Sequence, residues 1–167
     1  MTHPLRARVL VISDSVSDGR RQDGSGPTVR ELLEARGWVV TSYEVLPDNE
    51  GQIRRQLEAW ADRSETDAVF TSGGTGLGPR DVTPEATRSV IEKEVPGLAE
   101  LMRAEGLKKT RRAVLSRGLV GVRKGVLIVN LPGSPRGARE SLESLLDLLP
   151  HAIDLIRGRT EHAGEQT

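Results

Sequence analysis

"TDAVFTSGGTGLGPRDVTPEAT", residues 66–87, runs through three kinds of local structure without a break. The apolar run through Ala68, Val69 and Phe70 reads as a buried strand. Gly73, Gly74, Gly76 and Gly78 then supply a loop, and Thr83-Pro84 opens a helix predicted over residues 84–95, with Thr83 as its cap. A strand that feeds a helix through a Gly-rich loop is the first half of a βαβ unit.

The same alternation extends in both directions. Residues 7–13 ("ARVLVIS") read as a strand, followed by a polar, Gly-rich loop too long to be a mere connection. Ser25-Gly26-Pro27 opens a helix whose Val29, Leu32, Leu33 and Ala35 share one face, and Gly37 stops it. Residues 38–47 are strand-like, and residues 48–63 are helical through Ile53, Leu57 and Trp60. Pro96 begins a helix over 96–106. Residues 107–124 are basic and fit no single element, with "AVLSRG" (113–118) suiting a short strand or a turn. Residues 125–134 form an apolar strand that breaks at Pro132-Gly133. Ser134-Pro135 starts a long helix striped by Leu142, Leu145, Leu146 and Leu149, which Pro150 interrupts near its end. Residues 158–167 read as a frayed polar tail. The pattern implies one α/β domain over residues 1–167, a three-layer α/β/α sandwich around a mostly parallel sheet.

Ligands of such sheets lie beyond the carboxyl ends of the strands. Asp14, Asp48, the glycine loop and "NLPGS" each follow a strand, so all four are expected on one rim. Four glycines around Thr75 let backbone N–H groups face an anion, although neither a dinucleotide fingerprint nor a P-loop is present. Three helix starts add N–H groups and positive dipole ends. Asp14, Asp48 and Asp81 would repel a phosphate unless Mg²⁺ bridges them to it. Arg80, Arg117 and Arg136 can neutralise phosphate charge. Taken singly, each glycine, cap or aspartate also suits an ordinary turn.

Composition narrows the alternatives. The 24 basic and 24 acidic residues cancel and only four residues are aromatic, which argues against nucleic-acid binding. Cysteine is absent, and His3, His151 and His162 have no metal-ligand spacing. No apolar stretch is long enough for a membrane span, so a cytoplasmic protein is expected. No Ser-His-Asp arrangement emerges, which favours chemistry whose reacting groups come from the substrates, such as nucleotidyl transfer.

Six ordered blocks, "VISDS", "DGSGP", "LPDN", "SGGTGLGPRDVTPEAT", "AVLSR" and "VNLPGSP", resemble the MogA/MoaB family of molybdenum cofactor biosynthesis. The resemblance covers residues 5–158 and is nearest to the molybdopterin adenylyltransferases, which include a domain of gephyrin. It implies a MogA/MoaB-like fold, a homotrimer, and Mg²⁺-dependent transfer of AMP from ATP to the terminal phosphate of molybdopterin. The adenylylated product would pass to a molybdenum-insertion protein.

By motif, the resemblance assigns Asp48 and Asp81 to catalysis and the metal, and Ser116 to pterin binding, with Arg117 beside it. Ser13, Asp14 and Ser15 match the first loop at the site. Gly73, Gly74, Thr75 and Gly76 match one substrate-binding loop, and Pro132, Gly133 and Ser134 another. The family also has a branch of doubtful activity, so a non-catalytic trimeric molybdopterin carrier is the alternative. The complete "RDVTPEA" and "LSR" blocks favour the active type.

Overall fold

Strand alternation sorts this chain into layers. In the computed structural model, which describes residues 3–159, the chain begins with β1 (Arg6–Ile12), a short α1 (Asp14–Ser17) and α2 (Ser25–Ala35). There follow β2 (Val39–Leu46), α3 (Glu50–Ala61), β3 (Ala68–Ser72), α4 (Thr83–Val90), β4 (Lys93–Glu94) and α5 (Pro96–Leu107). A 3₁₀ turn (Arg111–Leu115) leads to β5 (Val120–Arg123), β6 (Val126–Leu131), α6 (Pro135–Leu145) and α7 (Leu149–Ile156).

The six strands form one sheet in the order β2-β1-β3-β6-β5-β4. The first four are parallel, and β5 and β4 add an antiparallel edge. Successive side chains of a strand face opposite sides, and here both sides are dry. Ala7, Val9, Phe70, Leu127 and Val129 face α2, α5, α6 and α7. Leu10, Ile12, Val69 and Ile128 face α3 and α4, where Ile53, Leu57, Trp60 and Val90 cover them. The three-layer sandwich follows from this burial on two faces.

Register carries the strand ends to one level. Val11 pairs with Ser72, and Ser72 with Leu131, while Ile12 pairs with Leu46. The expected common rim is therefore present.

Several local expectations need correction. The helix predicted over 84–95 stops at Val90, and Ile91 is already extended (φ −77°, ψ 146°). Lys93–Glu94 instead pair with Gly121–Val122, and the N–H groups of Glu92 and Val95 donate to Val122 and Val120 at 2.8 Å. Pro96 also disfavours helical geometry at Val95. Thr83 does not cap α4 through its hydroxyl; that group donates to the Gly73 carbonyl at 2.9 Å. Ser25 lies inside α2, and the carboxylate of Asp23 serves the cap by accepting the Gly26 N–H at 3.1 Å. Ser134 does cap α6, accepting the Gly137 N–H at 3.0 Å. The leucine stripe is buried as expected. Pro150 sits in the first turn of α7 and starts a new helix after a break at residues 146–148, rather than kinking one long helix. The unassigned basic segment resolves into the 3₁₀ turn and a β5–β6 hairpin, closed by Lys124 (φ 46°) and Gly125 (φ 79°). Most of the expected polar tail, residues 160–167, lies outside the described residues.

Asn130 on β6 ties these parts together. Its side-chain oxygen accepts the Leu119 N–H (3.2 Å), and its amide donates to Thr71 (3.0 Å) and Thr87 (2.9 Å) hydroxyls. All of these groups are buried. Removing one partner of a buried network leaves the others unsatisfied. Asn130→Ala is expected to lower unfolding free energy by about 2–3 kcal/mol, read as a shifted midpoint in chemical denaturation.

Candidate active site

The rim opens onto a cavity of about 610 Å³. Of the expected site residues, Ser13, Asp14, Ser15, Asp48, Gly73, Gly74, Asp81, Gly133 and Ser134 line it. A smaller cavity of about 190 Å³, walled by Ala99 and Met102 of α5, holds Ser116 and Pro132, and Ser134 borders both. Thr75, Gly76 and Arg117 line neither cavity.

Those three residues form a strut instead. Arg117 donates from its backbone to the Thr75 carbonyl (2.9 Å) and from Nε to the Gly76 carbonyl (2.8 Å). Its Nη2 donates to the Asp81 carbonyl at 2.9 Å, and its guanidinium pairs with Glu85. Arg117 thus pins the far half of the glycine loop to the Ser116 segment and start of α4. Ser116 is held from behind by Arg103, which donates to the Ser116 and Gly118 carbonyls at 3.3 and 2.9 Å.

The near half of the glycine loop is shaped by close approach. Gly73 has φ 109°, and a Cβ there would lie 2.1 Å from the Ile12 carbonyl oxygen. Gly74 has φ 66°, and a Cβ would meet the Thr83 hydroxyl at 2.3 Å and Asp48 Oδ1 at 3.1 Å. Both positions exclude a side chain. Farther along, the Gly78 N–H donates to Asp81 Oδ2 at 2.8 Å, which aims the carboxylate across the loop.

Asp14 and Asp48 interlock, each backbone N–H donating to the other's carboxylate at 3.0 Å. Their charge balance differs. Arg80 grips Asp14 with two bonds of 2.9 Å, and this pairing holds the Asp14 carboxyl below its ordinary pKa. Burial pushes Asp48 up, and the nearby charges of Asp14 and Asp81 add to that rise. Asp48 thus meets negative charge from both Asp14 and Asp81, a repulsion that a cation would relieve.

Hard carboxylate oxygens suit Mg²⁺, which keeps waters and takes one or two carboxylates together with substrate phosphates. Among the described residues no group of three or more His, Cys, Asp or Glu can cage a metal. A two-carboxylate site completed by phosphate is the arrangement these donors fit. Of the arginines suggested for phosphate, Arg80, Arg117 and Arg136 are held by Asp14, Glu85 and Glu140. Residue-by-residue reading missed Arg20, Arg21, Gln22 and Asp23, which line the large cavity. Their signal was the unusual length of the loop that carries them.

The family described as "Probable molybdopterin binding domain" matches residues 8–151. The chain belongs to that family. The molybdopterin adenylyltransferase of Helicobacter pylori (strain J99) is 40% identical over 160 residues, covering 95% of this chain and 91% of that protein. The crystal structure of the molybdopterin biosynthesis enzyme MoaB from Thermus thermophilus matches with a TM-score of 0.87 at 53% identity, covering 92% of this chain and 97% of that one. The molybdenum cofactor synthesis protein cinnamon of Drosophila melanogaster is 44% identical over 149 residues; these cover 89% of this chain but only 25% of that protein. Molybdenum cofactor biosynthesis is thus the setting of the family to which this domain belongs. None of the helices among the described residues is long and apolar enough to cross a membrane.

A carboxyl whose pKa rises on folding costs the folded state nothing below the unfolded chain's pKa, and the penalty grows from there until pH has passed the raised folded pKa. Asp48→Asn keeps an acceptor for the Asp14 N–H and removes the charge. It is expected to raise the thermal midpoint at neutral pH, with the gain vanishing below the ordinary carboxylate range; calorimetric scans across pH check this sign.

Proposed function

We propose that this chain is an enzyme that transfers AMP from ATP to the terminal phosphate of molybdopterin in a Mg²⁺-dependent reaction, giving adenylyl-molybdopterin and pyrophosphate. One observation carries the reading. Asp48, Asp81, the Gly73-Gly74 turn and the Ser134-capped start of α6 share one cavity, and Ser134 joins it to the smaller cavity of Ser116. Two substrates can therefore meet with their phosphates between a cation site and a helix N-terminus.

In the reaction, an oxygen of the acceptor phosphate bonds to the α-phosphorus of ATP. The bond from that phosphorus to the bridging oxygen of the β-phosphate breaks, and pyrophosphate leaves with the electron pair. The substrates supply both reacting groups, so the protein's contribution is position and charge compensation. Asp48 and Asp81 would hold the metal, while Arg80 pairs with Asp14 and offsets part of its charge. Mg²⁺, when bound, offsets phosphate charge and withdraws electron density from the phosphorus under attack. Gly73 and Gly74, packed without side chains against Ile12 and Thr83, would set their backbone at the cavity wall beside the phosphates. The hydroxyls of Ser13, Ser15 and Ser134 offer hydrogen bonds at the cavity wall. Ser116 faces the apolar cavity, where it would orient the pterin.

The adenylyltransferase relatives at 36–40% identity support this assignment. The wider reading is a homotrimer acting in the cytoplasm, where ATP is supplied, and passing its product to a molybdenum-insertion protein. Exposed Leu77, Val114 and Leu115 offer apolar surface for contacts between subunits. Relatives such as the molybdenum cofactor biosynthesis bifunctional protein of Chlorobaculum tepidum support the hand-over; this chain covers 49% of that protein's length.

Incubation with molybdopterin, ATP and Mg²⁺ is expected to yield adenylyl-molybdopterin and pyrophosphate. Absence of product above a protein-free control, alongside saturable pterin binding, would instead select a carrier. Asp81→Asn is expected to abolish transfer, a loss of about a hundredfold or more, while molybdopterin affinity changes little. Turnover surviving that substitution would remove Asp81 from the metal site.

A further inference from the structure

Five arginines stand at or beside the rim, and four are committed to carboxylates. Arg20 pairs with Asp18, Arg80 with Asp14, Arg117 with Glu85 and Arg136 with Glu140. Arg21 differs. It lines the large cavity, and its only side-chain partner among the described residues is the Ser13 hydroxyl, at 3.4 Å. A bond of that length is weak and readily exchanged for a better acceptor.

The loop nevertheless holds Arg21 in place. Its backbone N–H donates to the Ser15 carbonyl at 3.0 Å, and Gly19 turns the chain back with φ 81°. The guanidinium therefore stands over the end of β1, close to the loop that carries the interlocked Asp14. A guanidinium fork without a carboxylate matches phosphate oxygens in charge and geometry.

Resting on the adenylyl-transfer reading, we propose that Arg21 binds the β- and γ-phosphates of ATP, the part that leaves as pyrophosphate. A single dication leaves a triphosphate anionic, so a second positive group is needed within the same cavity. Of the two arginines that line the cavity, Arg20 has its charge offset by Asp18, whereas Arg21 faces no carboxylate among the described residues. Depth in the cavity selects the leaving end over the transferred end. The Gly73-Gly74 turn is packed against the strand ends, whereas Arg21 sits on an exposed loop. A departing pyrophosphate must cross the solvent side, and Arg21 is there to meet it.

The test is calorimetric titration of the full chain with Mg²⁺ and either α,β-methylene-ATP or AMP, paired with a transfer assay on the same preparations. Arg21→Ala is expected to weaken α,β-methylene-ATP binding about tenfold or more while changing AMP binding by less than about twofold. Arg21→Lys should fall between the two, because an ammonium keeps the charge and loses the fork. Arg30→Ala, which breaks only a pair with Glu34 on the surface of α2, should match the parent chain in both titrations. Equal effects of Arg21→Ala on both ligands, no effect on either, or no nucleotide binding by the parent chain would overturn the assignment. A parent chain that discriminates as expected but forms no product would overturn the reaction and leave the phosphate contact standing. Product formation with an unchanged KM for ATP in Arg21→Ala would overturn the contact alone.

Discussion

The backbone of Gly73 sits where three strand ends and one helix converge. Its N–H donates to the Leu131 carbonyl at 3.1 Å, and its own carbonyl accepts the Thr83 hydroxyl at 2.9 Å. Its Cα lies so near β1 that a side chain would collide with the Ile12 carbonyl, and a Cβ on Gly133 would come within 3.2 Å of it from the other side. Ser72 completes the joint by donating to the Pro132 carbonyl at 2.8 Å. Because β1, β3 and β6 must close to this distance, the loops that follow them have to share one cavity. The position of Asp14, of the glycine turn and of the α6 start all depend on it.

Charge is distributed around that joint with a clear division. Three carboxylates near the rim are neutralised, Asp14 by Arg80, Glu85 by Arg117 and Glu140 by Arg136, whereas Asp23 on the cavity wall has no ion-pair partner among the described residues. Asp48 is left with its pKa raised by burial and by its acidic neighbours, a cost to the folded chain. Concentrating unrelieved charge at one point is a common feature of sites that bind a metal or a reacting anion. Arg21, unpaired with any carboxylate among the described residues, is its cationic counterpart.

Much of this arrangement was legible in residue order. The alternation of apolar runs with 3.6-residue patterns named every parallel strand and placed Asp14, Asp48, the glycine loop and Pro132–Ser134 after strand ends. Errors clustered where long-range contacts overrule local preference. "IEKEV" has helix-forming residues, yet residues 93–94 pair with β5 and extend the sheet. Thr83 looks like a cap from its neighbours, but its hydroxyl turns to Gly73, ten residues back. Arg117 looks like a free cation beside a serine, and only the folded loop reveals its bonds to Gly76, Asp81 and Glu85. The β5–β6 hairpin went unassigned, although Lys124-Gly125 is a two-residue turn between short apolar runs.

Local periodicity and turn chemistry were enough to settle the layers, the strand direction and which end of the sheet carries the chemistry. Those properties follow from rules that act within a few residues: burial on two faces, glycine where φ is positive, proline at helix starts. The division of the site into a large polar cavity and a small apolar one could not be read that way, nor could the choice of which arginines remain available. Both rest on pairings between residues tens of positions apart, such as Arg80 with Asp14 and Arg117 with Glu85. A charged side chain carries no local mark of its partner, so its role is set only when folding brings the partner into reach.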